Sequence, residues 1–278
     1  MKCVDCPRFC RADRDCGEIG LCGGGRLARV AKVINEFKYE EPCLGTVTAV
    51  FFSGCALKCS YCQNYKISRG GAGEEYDDRR LAALFDGAEH PLDLVTPSHY
   101  LSNIERAIDI SANAHSFIYN TSGYETVGAV KRAAKFTDVF LTDYKYGDNA
   151  VATRLSKAGD YVEVAQKALR VMRDAVPDEW AIENGEKLLK RGLIVRHLVL
   201  PECVDNSIKA IDDIARIAGT NTVLSLMSQF TPNGVGEPNA RLKKIEYKLV
   251  VEHALKLGFN VGYIQDFDSA NSAYTPEF

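Results

Sequence analysis

After residue 45 the chain alternates short apolar runs with longer amphipathic stretches, and this alternation limits the possible fold more than any other feature. The runs are rich in β-branched residues and are bounded by glycine, proline or polar residues, as is typical of buried strands. They are TVTAVFF (46–52), LDLVT (92–96), SFIYN (116–120), DVFLTD (138–143), LIVRHLVL (193–200) and TVLSLM (222–227), with FNVGYIQD (259–266) as a further candidate. Strands that alternate with helices in this way predict an α/β protein with a parallel sheet.

The intervening stretches predict helices. They begin at Asp77, Ser98, Gly123, Asp160, Asp205 and Asn239, and the last ends at Gly258, a typical residue just beyond a helix. Right-handed crossovers between the strands would wind the sheet as an open or partial barrel. A doubly wound open sheet fits the same pattern, so the alternation alone does not choose between the two arrangements.

Residues 1–45 have a different character, because they are rich in glycine and cysteine and show little periodicity. We therefore divide the chain into a small Cys-rich N-terminal extension (1–45) and a core (46–278), and expect bound metal to hold the extension together. Five of the ten cysteines lie in the first 22 residues. In a reducing compartment, clusters of this kind are more often metal ligands than disulfides.

Three further cysteines, Cys55, Cys59 and Cys62, follow the first predicted strand. A loop in this position lies at the carboxyl end of a parallel sheet, where α/β proteins bind ligands. Soft thiolates select zinc or iron–sulfur clusters. A structural zinc ion needs four ligands, and the segment FFSGCALKCSYCQN (51–64) offers neither a histidine nor a fourth cysteine. A 4Fe–4S cluster held by three cysteines would leave one iron open for a substrate or cofactor.

The spacing C-x3-C-x2-C, with Tyr61 before the third cysteine, resembles the signature of the radical S-adenosylmethionine (SAM) superfamily. The stretches EEPCLG, VTPSHY, YNTSGYE, LTDYKY and RHLVLPE extend the match over nearly the whole chain, which resembles proteins related to pyruvate formate-lyase activating enzyme that carry a Cys-rich N-terminus. The resemblance implies a partial (β/α)6 TIM-like barrel with SAM and the cluster at its mouth. It also implies an oxidoreductase that cleaves SAM reductively to methionine and a 5′-deoxyadenosyl radical, which abstracts a hydrogen atom from substrate.

Four residues are candidates for binding SAM on the first half of the core. The backbone around Tyr61 would face adenine, as the resemblance implies. Thr96 ends the second strand, where the superfamily places a Gly-rich segment for the amino group of SAM, although this chain has VTPSH there. Asn120 and Ser122 end the third strand on one face and suit ribose or carboxylate, with an N-cap as the alternative role of Ser122.

The second half of the core supplies the remaining candidates. Asp143 and Lys145 resemble the D-x-K element of the activating enzymes, in which the aspartate helps form a cation site near SAM and the lysine approaches the cofactor; a simple ion pair is the alternative. Arg196 lies within an apolar run, where a charge is costly unless paired, and the SAM carboxylate is a natural partner. The neighbouring His197 points to the opposite face, and the sequence does not settle which of the two faces the interior. Gln229 is a candidate for contact with adenine or substrate.

A second metal site is predicted in the extension, with the ligands Cys3, Cys6, Cys10 and Cys22. Four thiolates at these spacings suit either a tetrahedral zinc ion or an auxiliary 4Fe–4S cluster. Cys16 is additional to this set. Cys43 is either a further ligand or a small buried apolar residue.

Charge and hydropathy exclude some partners. The formal net charge is −3 and no basic stripe is present, so we expect no binding to nucleic acid. No apolar stretch approaches the ~20 residues of a membrane span. The N-terminus lacks the apolar segment of a signal peptide, and we expect a cytoplasmic protein.

Three functions remain open. The first is an activase that installs a glycyl radical in a partner enzyme, and the second is a radical SAM enzyme that modifies a small metabolite or a peptide. Both would bind SAM and take an electron from a donor such as flavodoxin or ferredoxin, and the first would act on a protein. The third is a non-catalytic iron–sulfur or zinc protein that transfers electrons or docks to partners.

Overall fold

The computed structural model describes residues 2–232 and 236–267. Its strands are β1 (Ala28–Lys38), β2 (Thr46–Phe52), β3 (Glu74–Tyr76), β4 (Leu92–Val95), β5 (Phe117–Thr121), β6 (Val139–Asp143), β7 (Glu179–Glu183), β8 (Glu186–Leu198), β9 (Val223–Met227) and β10 (Gly262–Ile264). Its helices are α1 (Tyr65–Ser68), α2 (Asp78–Asp86), α3 (Leu101–Ile110), α4 (Val127–Ala133), α5 (Asn149–Ser156), α6 (Tyr161–Ala175), α7 (Val204–Ala218) and α8 (Lys244–Lys256). Every predicted strand and helix is present, whereas α1, α5, β1, β3 and β7 were not predicted.

The parallel part of the sheet has the spatial order β2-β4-β5-β6-β8-β9-β10. This order follows the chain, so each crossover moves one step in the same direction, and the doubly wound alternative is wrong. The antiparallel strands β1 and β3 extend the sheet beyond β2. The α/β class is confirmed. Within the described residues the sheet is open, because β3 and β10 lie at its two ends and are not paired with each other, and the partial barrel stays a prediction.

The two faces of the sheet differ in what covers them. Side chains alternate across a strand, so Phe140 on β6 packs on one side with Leu169 of α6 in the main apolar cluster. The next residue, Leu141, packs on the other side with Cys43 in a separate cluster to which helices contribute little. Burial on both faces explains why the parallel strands read as nearly continuous apolar runs. Cys43 is only 2% exposed, which fits its interpretation as a small apolar residue.

The extension is joined to the core by β1, in which Val33 lies opposite Val50 of β2. The low periodicity of residues 1–45 did not predict this strand, and the division at residue 45 stays a prediction. None of the helices in the described ranges combines the length and the apolar content that crossing a bilayer requires.

Candidate functional site

A cleft of about 220 Å³ lies at the carboxyl ends of the parallel strands. The residues predicted for the cluster and for SAM all line it: Cys55, Cys59, Cys62, Tyr61, Thr96, Asn120, Ser122, Asp143, Lys145, Arg196 and Gln229. They come from the loop after β2 and from the ends of β4, β5, β6, β8 and β9. The parallel arrangement therefore brings together residues that are up to 174 positions apart in the sequence.

The three cysteines of the loop after β2 are close enough for their charges to interact. Burial raises the pKa of Cys55 to about 12, and the neighbouring thiols Cys59 and Cys62 add to the effect. Burial also raises the pKa of Cys59. A hydrogen bond to sulfur opposes the rise at each of the two cysteines: Leu57 N donates to Cys55 Sγ at 3.4 Å, and Ser156 Oγ donates to Cys59 Sγ at 2.9 Å. Thiolates that share one cleft with such donors fit a bound iron–sulfur cluster, because the metal removes the thiol protons and the donors stabilise the sulfur charge.

A buried chain of hydroxyl groups ends at Cys59. The Tyr61 hydroxyl lies 2.8 Å from that of Tyr146, which lies 2.5 Å from Ser156 Oγ. Since Ser156 donates to Cys59, the chain can run in one direction, with each tyrosine donating to the next oxygen. The Tyr61 hydroxyl is thus engaged in the core and is not available for the adenine contact, which the sequence predicts for the backbone around this residue.

Arg196 faces the cleft, which settles the choice that the sequence left open. Its Nε donates to Asp143 Oδ1 at 3.0 Å and its Nη2 donates to Asn120 Oδ1 at 2.8 Å. His197 is fully buried on the other face, where its Nδ1 lies 2.6 Å from the carbonyl oxygen of Tyr144. The neighbouring strands β6 and β8 place Asp143 directly opposite Arg196.

Asp143 also forms an ion pair with Lys145, whose Nζ lies 2.6 Å from Oδ2. Burial alone would raise the pKa of Asp143, but Lys145 and Arg196 outweigh it and hold that pKa below its usual value. Conversely, burial would lower the pKa of Lys145, but Asp143 and Cys59 raise it. The aspartate is therefore ionised and the lysine is charged, which places positive charge beside the cysteines.

A group of buried acids beneath Arg196 was missed by the sequence analysis. Asp93 on β4 is fully buried and accepts hydrogen bonds from the Tyr39 hydroxyl and from Asn120 Nδ2, the latter at 3.2 Å. Burial raises its pKa to about 6, and burial likewise raises the pKa of the nearby Glu41. The signal for Asp93 was present, because a carboxylate in the middle of the run LDLVT is as costly as the arginine in LIVRHLVL.

The remaining predicted residues that line the cleft are Thr96, Ser122 and Gln229. Thr96 has φ +60°, a conformation that is uncommon outside glycine and recurs at functional sites. The N-cap of α4 is Thr126, so the alternative role of Ser122 as an N-cap is wrong. The Gln229 amide donates to Glu40 Oε1 at 2.5 Å.

Cys3, Cys6, Cys10 and Cys22 of the extension also lie near one another. Cys6 and Cys22 are buried, whereas Cys16 is exposed. All ten cysteines fall within the described residues, and no disulfide joins any of them. Over residues 2–232 and 236–267, no set of three or more His, Cys, Asp or Glu side chains converges in a way that would hold a single metal ion. A cubane does not require such convergence, because it binds each thiolate through a different iron.

Two sequence comparisons bear on this site. The family model of a 4Fe-4S single cluster domain matches residues 43–94, which contain the three-cysteine loop. An uncharacterized protein of Methanocaldococcus jannaschii is 25% identical over 283 residues, covering 94% of this chain and 77% of that protein.

Two solved structures have a similar fold. A radical SAM methyltransferase from Sphaerobacter thermophilus superposes with a TM-score of 0.52 at 14% identity, covering 80% of this chain and 68% of that chain. Streptococcus suis SuiB, bound to the precursor peptide SuiA, superposes with a TM-score of 0.50 at 10% identity. The match covers 76% of this chain but only 46% of the SuiB chain, so this chain corresponds to less than half of SuiB. The comparisons support an iron–sulfur protein with a fold like that of a radical SAM enzyme.

Proposed function

We propose that this protein is a radical SAM enzyme that binds a 4Fe–4S cluster through Cys55, Cys59 and Cys62. The observation that carries the proposal is the shared cleft, in which three thiols, an ionised Asp143 and the cations Lys145 and Arg196 line one space. When bound, the cluster supplies the electron that splits SAM into methionine and a 5′-deoxyadenosyl radical.

The cleft residues then have separate tasks. Ser156 Oγ and the backbone N–H of Leu57 donate to the ligating sulfurs and stabilise their charge. Lys145 lies close enough to Cys59 to offset its negative charge. Apolar side chains that line the cleft, such as Val95 and Leu198, exclude water from the reacting groups.

Arg196 is proposed to bind the carboxylate of SAM. Its Nε and Nη2 are engaged by Asp143 and Asn120, which fixes the plane of the guanidinium. No hydrogen bond links its Nη1 to any residue that the structure describes, so this nitrogen retains donors for a carboxylate. Asn120, Thr96 and Ser122 are proposed to bind the ribose and the amino group, and Gln229 to contact adenine or substrate.

The substrate is proposed to be a polypeptide. The resemblance to activating enzymes favours an activase that takes a hydrogen atom from a glycine of a partner enzyme. The fold similarity to SuiB, which binds a precursor peptide, is compatible with a peptide substrate as well. Mixing the reduced protein and SAM with a glycyl radical enzyme would separate the two, because only an activase produces a glycyl radical signal.

The test of the core proposal is Cys59→Ala in anaerobically reconstituted protein, with Cys203→Ala as the matched control. Cys203 is also buried, 5% exposed, but does not line the cleft. We expect Cys59→Ala to lose the iron of this site and to form no 5′-deoxyadenosine with dithionite and SAM, while Cys203→Ala retains both. SAM cleavage by Cys59→Ala at the wild-type rate would overturn the proposal. A full cluster in the wild type with no SAM cleavage would favour a non-catalytic electron carrier.

A further inference from the structure

Four cysteines of the extension lie near one another: Cys3, Cys6, Cys10 and Cys22. Cys3 lies close enough to Cys6 and Cys10 for their charges to interact, and Cys6 also lies within such range of Cys22. Cys10 and Cys22 lie on either side of Gly20: their sulfurs would lie 3.5 and 3.2 Å from a Cβ added to this glycine. A side chain at Gly20 would therefore occupy space between two of the thiols, and glycine leaves that space empty.

Hydrogen-bond donors point at the most buried sulfur of this group. Cys22 Sγ accepts from Arg14 Nη2 at 3.3 Å and from Gly24 N at 3.3 Å. Arg14 is itself only 9% exposed, and its Nη1 donates to the carbonyl oxygen of His99, which holds the guanidinium beside the sulfur. Hydrogen bonds to ligating sulfur are a main control on iron–sulfur reduction potentials.

The extension is attached directly to the three-cysteine loop. The carbonyl oxygen of Cys22 accepts a hydrogen bond from Cys55 N at 2.9 Å, so a ligand of one predicted site is bonded to a ligand of the other. Gly54 permits this approach: it has φ +92°, and a Cβ there would lie 2.4 Å from the Cys22 oxygen. Arg8 adds a second link by donating from Nε to the carbonyl oxygen of Ala56 at 2.8 Å.

We propose that Cys3, Cys6, Cys10 and Cys22 bind a second 4Fe–4S cluster, which passes electrons to the cluster at the three-cysteine loop through the contact between Cys22 and Cys55. The metal site stands on the geometry of the extension alone, whereas its electron-transfer role rests on the proposed function. Cys3 and Cys10 are partly exposed and Cys22 is buried, so the path runs inward from the surface.

The step transfers one electron and changes no bond in the protein. A reduced flavodoxin or ferredoxin is oxidised by one electron and reduces the second cluster. That cluster is oxidised again when the electron moves to the cluster beside Cys55. No proton or leaving group is required.

The test counts iron, sulfide and zinc in the anaerobically reconstituted full chain and in three variants. Cys10→Ser removes a ligand of the second cluster, Cys59→Ala removes a ligand of the first, and Cys16→Ser is the control because Cys16 lies in the same segment but is exposed. We expect about eight irons in the wild type and in Cys16→Ser, and about four in each of the other two. Electron paramagnetic resonance (EPR) of the reduced Cys10→Ser protein should still change on adding SAM, which also demonstrates that this variant folds.

The reduced wild type should show two interacting spins, of which SAM perturbs one. About four irons in the wild type, all lost in Cys59→Ala, would overturn the second cluster and leave the proposed function intact. One zinc per chain, lost in Cys10→Ser, would overturn it in favour of a structural metal. Eight irons with no response to SAM would instead contradict the proposed function and the electron-transfer role, while the metal site would stand.

Discussion

The substitution Asp143→Asn tests whether the ion pairs of the cleft are structurally important. It removes the carboxylate that accepts from both Lys145 and Arg196, at 2.6 and 3.0 Å. The side chain of Asp143 is 17% exposed, that of Lys145 20% and that of Arg196 13%. The substitution would therefore leave two cations with little solvent to replace their partner. Breaking a buried pair in this way costs about 3–5 kcal/mol, and we expect a loss near the lower value because the cleft admits some water.

The matched control is Asp148→Asn. Asp148 lies at the same distance, 2.6 Å, from Lys209 Nζ, but the side chains of this pair are 31% and 55% exposed. Asparagine also preserves the N-cap that Asp148 provides for α5. We therefore expect a much smaller change from this substitution, because solvent screens an exposed pair.

The assay is urea unfolding of the cluster-free chain, followed by the fluorescence of Trp180, the single tryptophan, and by circular dichroism. Because the pKa of Asp143 is lowered in the folded state, its contribution is complete above the unfolded value of about 3.9 and is lost as the pH falls through the folded value. The difference between wild type and Asp143→Asn should thus be constant from about pH 5 to 8 and shrink below about pH 4. Equal losses for the two substitutions, or a difference that grows on acidification, would refute this reasoning.

Three further results are expected. Ser156→Ala should lower the reduction potential of the cluster at Cys59 by an amount on the order of tens of millivolts, because it removes a donor that favours the more negative state; an unchanged potential in an EPR-monitored titration would contradict this. Asp93 holds its proton to about pH 6, so its contribution to the unfolding free energy should fall by about 3 kcal/mol as the pH rises from about 4 to 6. The total fall over this range should be smaller by that amount in Asp93→Asn, with the remainder carried by other buried acids such as Glu125, and equal slopes for the two proteins in urea titrations would count against it. Arg196→Ala should weaken SAM binding in anaerobic calorimetry more than His197→Ala does, and the reverse order would mean that the cofactor lies elsewhere.

The parallel strands could be predicted because burial on both faces leaves a continuous apolar run in the sequence. The run DVFLTD (138–143) corresponds to β6, Val139–Asp143. The run does not indicate which strand pairs with β6. Asp143 meets Arg196 only because β6 pairs with β8 in a particular register, and neither run alone carries that information.

Some structure was missed although its signal was present. Asn184 and Gly185 have φ +52° and +82° and form the two-residue turn between β7 and β8, with Glu183 paired to Glu186. An Asn-Gly pair between two extended segments is among the strongest short-range indications of a hairpin. The strand β1 gave a weaker signal, because its exposed end interrupts the apolar alternation.

In the cleft, too, the sequence indicates some of the site residues and not others. The three-cysteine spacing was readable because all three ligands lie within one loop. Tyr39 and Glu41 were not readable as part of the site, since they precede the core and approach Arg196 only through the folded chain. The link between Cys22 and Cys55 is a contact between backbone atoms, and such a contact leaves no pattern in side-chain identity apart from the glycine at position 54.

The most direct test of the central claim is electron–nuclear double resonance of the reduced, reconstituted protein mixed with SAM labelled with ¹⁷O at its carboxylate and ¹⁵N at its amino group. A cluster held by three thiolates has an iron available to these groups, so we expect hyperfine coupling to both labels, and we expect it to be absent in Cys59→Ala. A reduced cluster that couples to neither label in the wild-type protein would contradict the account.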